Sequence, residues 1–472
     1  MRRLLSALVV LLAPFPALAV PAVAAAQGPT PPSPTNPLAI PAPPEVKDTM
    51  LEPVPPPRRV LASWDEAVAY LRNRSTDLKI ALDGVLQAEA ATRIAFAAYL
   101  PSINANGAFQ HQLITKSVVV PGVAVAGLPP VTSTAPAQDI KTGNIQLQQA
   151  LVNVQNLDQI DISRQSEVQA QLSVDDKKRT LALGLANQIV AVVTAERSAE
   201  INRVGLKVAL EQAEITKRKQ SLGAANGLDV VRAEQNVANA RASLVSGDET
   251  LREAREALGL ALGLPEEVGV PPDMNIDGIA ASAMATCKAV PSVDDRPDVA
   301  AAHVALDVAK RNLRNVYYQF LPTINAQSTL AATSVPATAF PNPTWNIVAT
   351  LSVPVFDGGV RYGNLRNARA AQDIAAQQLE ALRRQAIIQV EQAQRQLVVA
   401  QDEARVAREQ RDLAADNDRM TQTAYTAGQG TSLELVTASE AHRQAEITLA
   451  LQEFGVVKAR ILAVLALAEC PW

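Results

Sequence analysis

The chain has 472 residues, 48% of them hydrophobic but only 3% aromatic, and a formal net charge of −4. That length allows two or three ordinary domains, yet so few aromatic side chains argue against large globular cores and for long helices packed through small residues. No basic stripe accompanies the weak net charge, so the composition gives no support to a nucleic-acid partner.

Arg2 and Arg3, the apolar run Leu4 to Leu12 and the small residues Ala24-Ala25-Ala26 read as an export signal over residues 1–26, cleaved before Gln27. Pro14, Pro16 and Pro21 interrupt the run well short of the ~20 apolar residues of a membrane-spanning helix. No cysteine follows it, so no lipid attachment is expected at the mature end. Residues 27–62 form a proline-rich leader, from Pro29, Pro31, Pro32 and Pro34 to Pro55-Pro56-Pro57, expected to be extended and unable to build a core.

The remainder says one phrase twice. Tyr99-Leu100-Pro101-Ser102-Ile103-Asn104-Ala105 returns 221 residues later as Phe320-Leu321-Pro322-Thr323-Ile324-Asn325-Ala326, and the same offset pairs Asp77 with Asp298 and Ala88 with Ala309. A whole supersecondary unit is therefore duplicated. Repeat 1 is placed at 63–265, a linker at 266–293, repeat 2 at 294–468 and a short tail at 469–472.

Repeat 1 opens at Trp64, with Ser63 as N-cap and Glu66 three residues on, a capping box. The helix restarts around Ser75-Thr76-Asp77, as repeat 2 starts at Arg296-Pro297-Asp298 with Pro297 in the first turn. Pro101 and Pro322 mark helix-to-strand junctions, because proline lacks the backbone donor and pushes its predecessor out of the helical region. Leu100 and Leu321 are thus predicted as the last helical residues. Strands are predicted at about 101–114, 142–154, 322–332 and 344–356. Along them Ile103, Ala105, Gly107 and Phe109 alternate with Asn104, Asn106 and Gln110, and Trp345, Ile347 and Leu351 with Asn346, Thr350 and Ser352. A face of amides and hydroxyls with almost no charge suits a barrel with water inside and lipid outside, although alternation alone equally fits a soluble sandwich. The first strand–strand loop, about Thr115 to Asp139, is much longer than its counterpart near Ser334 to Pro343, as in barrels with long loops at one end.

From about Leu157 to Gln220 and from Tyr362 to Thr426 the period is helical and no proline intervenes. Ala386, Ala393, Ala400, Ala407 and Ala414 mark one heptad position and Val390, Leu397 and Ala404 its partner. Each helix ends at a glycine turn, near Gly223 and near Gly428, and a return helix runs on to Leu264 or Leu467. Glycine supplies the left-handed cap of the outgoing helix, and Asn226 or Thr431 caps the returning one. Four strands cannot close a barrel and open edges are not tolerated in lipid, so a membrane reading requires oligomerisation.

No chemistry-bearing constellation stands out. His111, His303 and His442 lack metal-ligand spacing, Asp175-Asp176, Glu266-Glu267 and Asp294-Asp295 read as exposed charge, and no nucleophile elbow or phosphate loop is present. Neither catalysis nor a cofactor is expected. Cys287 and Cys470, in an exported and oxidising setting, are expected to form a disulfide.

The doubled Leu-Pro junctions, Arg296-Pro297-Asp298, Val353-Pro354-Val355-Phe356-Asp357-Gly358-Gly359, the run Leu258 to Pro265 and the two glycine tips with Asp229 and Glu434 together resemble the TolC family of outer-membrane efflux and secretion channels. The resemblance covers about Ser63 to Ala468. It implies a mainly α fold with a membrane β-barrel, in which a homotrimer forms a 12-stranded barrel in outer-membrane lipid and a long α-helical periplasmic tunnel. Such a passive duct docks onto a periplasmic adaptor (a membrane fusion protein) and an inner-membrane pump, as part of a tripartite efflux pump or a type I secretion system. Gly223, Asn226, Gly227, Gly428, Gly430 and Thr431 then belong to the adaptor-docking tips at the periplasmic entrance. The resemblance makes Glu434 a pore-facing acidic ring and has Asp229 and Tyr425 join the hairpins through a hydrogen bond. Gly430 stands where an arginine link can occur and Thr437 where a second acidic ring can occur, which implies a more weakly held gate. The rival reading, a periplasmic coiled-coil adaptor or structural protein, predicts a single helical hairpin flanked by β-modules, whereas here strands lie between helices twice.

Overall fold

The computed structural model describes residues 45–111, 113, 118–119, 132–133, 139–271, 276–334 and 343–472. The predicted export signal, the leader up to residue 44 and most of both strand–strand loops lie outside the described residues. In chain order the elements are β1 (Arg59–Val60), α1 (Trp64–Arg74), α2 (Thr76–Ala97), β2 (Ser102–His111), β3 (Val118–Val119), β4 (Thr132–Ser133), β5 (Asp139–Val152), α3 (Val154–Ser221), α4 (Gly227–Ala261), β6 (Val268–Gly269) and α5 (Ile276–Thr286). There follow β7 (Lys288–Ala289), α6 (Pro297–Tyr318), β8 (Thr323–Thr333), β9 (Thr344–Ser352), α7 (Val360–Thr426), α8 (Ser432–Leu465) and β10 (Ala468–Glu469). Helix, strand, strand and a hairpin of long helices thus occur twice.

Both Leu-Pro junctions end their helix earlier than the sequence reading placed it. α2 stops at Ala97 and α6 at Tyr318, and the next three residues tighten into turns, with Leu100 N–H donating to Ala97 O and Leu321 N–H to Tyr318 O. These bonds reach back three residues, which satisfies carbonyls left without a helical partner before the proline forces the chain to extend. The Ser63 cap also differs in detail. Ser63 Oγ accepts from Glu66 N–H, but the Glu66 carboxylate reaches back to Ala62 N–H.

The long strands form one antiparallel sheet in the order β2-β5-β8-β9. Register places Ala105, Ile145, Leu330 and Trp345 in one row and Asn104, Gln146, Thr329 and Asn346 in the next, so one face is apolar and the other carries amides and hydroxyls. On the apolar face Ile103, Trp345 and Ile347 are 68%, 73% and 72% exposed, which is too much clustered apolar surface to leave in water. Trp345 Nε1 donates to Ser328 Oγ at 2.9 Å, which fixes its ring against β8.

α3 has 68 residues and α7 has 67, each on the order of 100 Å at ~1.5 Å per residue. Alanine makes such lengths packable. Ala386, Ala393, Ala400 and Ala407 are buried along α7, Val390 and Leu397 half-buried beside them. Near the sheet the two repeats are joined by polar links: Arg311 pairs with Asp161, Arg314 with Asp158, and Asn315 Nδ2 donates to Gln155 O at 2.9 Å.

The largest core lies at the midpoint of α3, where Leu185, Ile189 and Val192 meet Trp64, Leu71, Leu258, Ile461 and Leu465. Cys287 and Cys470 are buried in it and form a disulfide, which ties the inter-repeat linker to the C-terminal end. Arg296, 1% exposed, explains its motif. Its guanidinium holds both Asp298 oxygens at 2.7 and 2.6 Å and also donates to Gln389 Oε1 and Ala466 O, fastening the start of α6 to the end of α8. The acidic pairs read as exposed charge also take part in ion pairs, since Asp176 holds Arg179, Glu266 holds Arg59 and Asp294 holds Arg383.

The leader was expected to be extended and unable to build a core, yet residues 45–62 join one. Asp48 pairs with Arg241 at 2.7 Å, Met50 and Leu51 pack against the α3–α4 contact, Pro55 O accepts from Arg255, β1 pairs in parallel with β6, and Leu61 is 1% exposed in the main core. Proline keeps the strap extended, while the apolar residues spaced between prolines do the packing. Among the described residues no helix is long and apolar enough to cross a membrane.

Candidate functional site

The hairpin tips are built alike from residues 205 apart. At the first, Gly223 sits at φ 73° and Ala224 N–H donates to Lys219 O at 2.8 Å; at the second, Gly428 sits at φ 76° and Gln429 N–H donates to Ala424 O at 2.9 Å. A side chain at either glycine would be strained in this left-handed region, where the helix stops and the next one begins.

Both returning helices start with reciprocal caps. Asn226 Oδ1 accepts from Asp229 N–H at 2.9 Å and Asp229 Oδ2 from Asn226 N–H at 3.3 Å; Thr431 Oγ1 accepts from Glu434 N–H at 3.2 Å and Glu434 Oε2 from Thr431 N–H at 2.8 Å. The acidic residues to which the family resemblance gives an entrance role are therefore also the residues that start the helices. The Thr431 N–H, and then its side chain, hold the Glu434 carboxyl below the usual glutamate range. Gly227 is the first residue of α4, and Gly430 donates its N–H to Ala424 O at 3.1 Å. A Cβ on Gly430 would lie 3.1 Å from the Tyr425 nitrogen, so an arginine there would crowd this turn. Leu228 and Leu433 occupy equivalent positions and are 55% and 48% exposed.

The hydrogen bond expected between Asp229 and Tyr425 is absent among the described residues. The Asp229 carboxylate accepts instead from Asn226 N–H, the cap residue just before α4, and lies 3.9 Å from Arg232 one turn on. Tyr425 meets Lys219 instead: the ammonium stands 3.6 Å from the ring centroid and 3.4 Å from Tyr425 O. Sequence reasoning missed Lys219, which reads as an ordinary last-turn lysine and lies 206 residues from its partner.

Further up, His442 Nδ1 lies 3.2 Å from Asp418 Oδ2 and its Nε2 lies 3.7 Å from Glu446 Oε1, a setting between α7 and α8 that spacing alone did not reveal. Among the described residues no group of three or more His, Cys, Asp or Glu is placed to hold a metal ion.

An open four-stranded sheet with one apolar face is thus continued by two very long helical hairpins with matched tips. The chain belongs to the outer membrane efflux protein family, whose profile matches residues 68–264 and 292–461. It is 26% identical over 319 residues to Nodulation protein T of Rhizobium leguminosarum bv. trifolii, which covers 63% of this chain and 65% of that one. It is 25% identical over 183 residues to the pyoverdine export outer membrane protein OpmQ of Pseudomonas aeruginosa, 38% of each chain. The matched stretches span less than two thirds of either relative's length. In fold it is similar to the CmeC outer membrane channel of Campylobacter jejuni, with a TM-score of 0.73, 14% identity and coverage of 90% of this chain and 93% of that one. The chain is thus a member of that family with a TolC-like fold.

Proposed function

We propose that three copies of this chain assemble into a passive export duct that spans the outer membrane and reaches through the periplasm to an adaptor and an inner-membrane pump. The observation that carries this reading is the sheet order β2-β5-β8-β9, which leaves β2 and β9 as edges beside an exposed apolar face. Four strands fall short of the ~8 of the smallest barrels, and a lipid-embedded sheet tolerates no open edge. Three copies supply twelve strands, with the apolar face toward lipid and the amide face toward water. Residues 1–26 serve as the cleaved export signal in this reading.

The four long helices of each copy continue the barrel inward, and their tips form the entrance. The exposed Leu228 and Leu433 then face an adaptor hairpin, while Glu434 from each copy contributes to an acidic ring at the mouth. One relative is named for pyoverdine export; here the lining amides of β2 and β9 are generic, and cargo choice falls to the pump. A tripartite efflux pump or a type I secretion system would use the same duct.

The test is reconstitution. Protein purified from the outer-membrane fraction is expected to insert into planar bilayers in uniform conductance steps. Recovery as a soluble periplasmic species that never conducts would overturn the proposal.

A further inference from the structure

Lys219 lies in the last turn of α3 and Tyr425 in the last turn of α7, so their contact joins the first hairpin to the second at the entrance itself. Both side chains are half-buried. The ammonium stands 3.6 Å from the Tyr425 ring centroid and donates to Tyr425 O at 3.4 Å. That carbonyl is one of the last of α7, where the helix dipole is negative and favours a cation. Among the described residues Lys219 has no carboxylate partner, so the ring face and the helix end are what hold its charge there. Burial pushes the ammonium's pKa down, the mark of a charge partly withdrawn from water, and in such a setting a cation over an aromatic ring is worth more than at an open surface.

We infer that Lys219 is a positioning residue that latches the two hairpins, clamping its ammonium on the ring and terminal carbonyl of Tyr425, and that the Tyr425 hydroxyl is dispensable for holding the entrance narrow. This rests on the channel reading above and assigns the closing contact within it. The geometry separates the latch from a hydroxyl bond to Asp229, since among the described residues the Asp229 carboxylate accepts from Asn226 N–H and lies 3.9 Å from Arg232, with no bond to Tyr425.

The test is single-channel conductance of purified full-length protein carrying Lys219→Met, Lys219→Arg, Tyr425→Phe, Tyr425→Leu or Asp229→Asn. Methionine keeps the stem and drops the charge, and phenylalanine keeps the ring and drops the hydroxyl. Lys219→Met and Tyr425→Leu are expected to raise the ratio of open to closed time roughly tenfold, equivalent to about 1.4 kcal/mol, while Lys219→Arg and Tyr425→Phe stay near wild type. Opening by Tyr425→Phe and Asp229→Asn, with Lys219→Met unchanged, would overturn the inference in favour of a hydroxyl bond. Wild-type gating in every variant would overturn it while leaving the channel intact. A lack of conductance even in the wild type would overturn the channel reading and the latch with it. Trimer heat stability, read on the same samples, shows that Lys219→Met and Tyr425→Leu are folded.

Discussion

At the scale of residues, the tips use the same side chains for structure and for electrostatics. Glu434 accepts from Thr431 N–H at 2.8 Å, and that bond holds its carboxyl low. A carboxylate with a depressed folded pKa contributes its stabilisation above its unfolded pKa and loses it as pH falls through the folded one. Acidification through and below the ordinary glutamate range is therefore expected to loosen the start of α8. Amide hydrogen exchange at Thr431 and the next few residues, corrected for intrinsic rates, should accelerate there relative to neutral pH, and unchanged protection would contradict the cap. Thr431→Ala removes the other half of the box and should destabilise the start of α8 by about 1 kcal/mol, whereas Thr431→Ser should cost little. The caps were legible because the donors and acceptors sit three residues apart. The Lys219–Tyr425 contact was not, because only the alignment of two hairpins brings those residues together.

Elements show how far local pattern reaches. The two prolines told where helix gives way to strand, but not that three residues of tightened turn come first, since that depends on how the freed carbonyls are satisfied. The alternation gave the two faces of every strand, and the register then put like beside like across all four. The strap was the least legible element. Proline content signals an extended chain, and nothing in that composition says that Leu61 sits in the main core or that Asp48 meets Arg241. Leu61→Ala is expected to destabilise the fold by about 2–5 kcal/mol, as for other large-to-small core changes, measured as a lowered midpoint in thermal unfolding. Along α7, Ala393 is 2% exposed at the seam, so Ala393→Leu should overpack it and cost about 1–3 kcal/mol by the same measurement. An unchanged midpoint for either would show that the contact is not part of the folded state.

The whole molecule is a duplicated unit closed on itself at mid-height and left open at its sheet. The Cys287–Cys470 disulfide fastens the linker to the segment after β10, and the Arg296 anchor fastens the start of the second repeat to the C-terminal end of α8, so the repeats are tied together at the core. Removing the disulfide from a core in which both cysteines are buried should lower stability by about 2–5 kcal/mol, read by comparing Cys287→Ser/Cys470→Ser with wild type. At the sheet the logic is reversed, because β2 and β9 have a partner on one side only. The most direct test places one cysteine on each edge, Asn104→Cys and Thr350→Cys, and treats membranes with a thiol cross-linker of under ~10 Å. Within one chain β2 and β9 stand three strand spacings apart, about 14 Å, so so short a linker joins only neighbouring copies. The account predicts a covalent ladder that ends at three chains; products confined to the single chain, or a ladder running on past three, would contradict it.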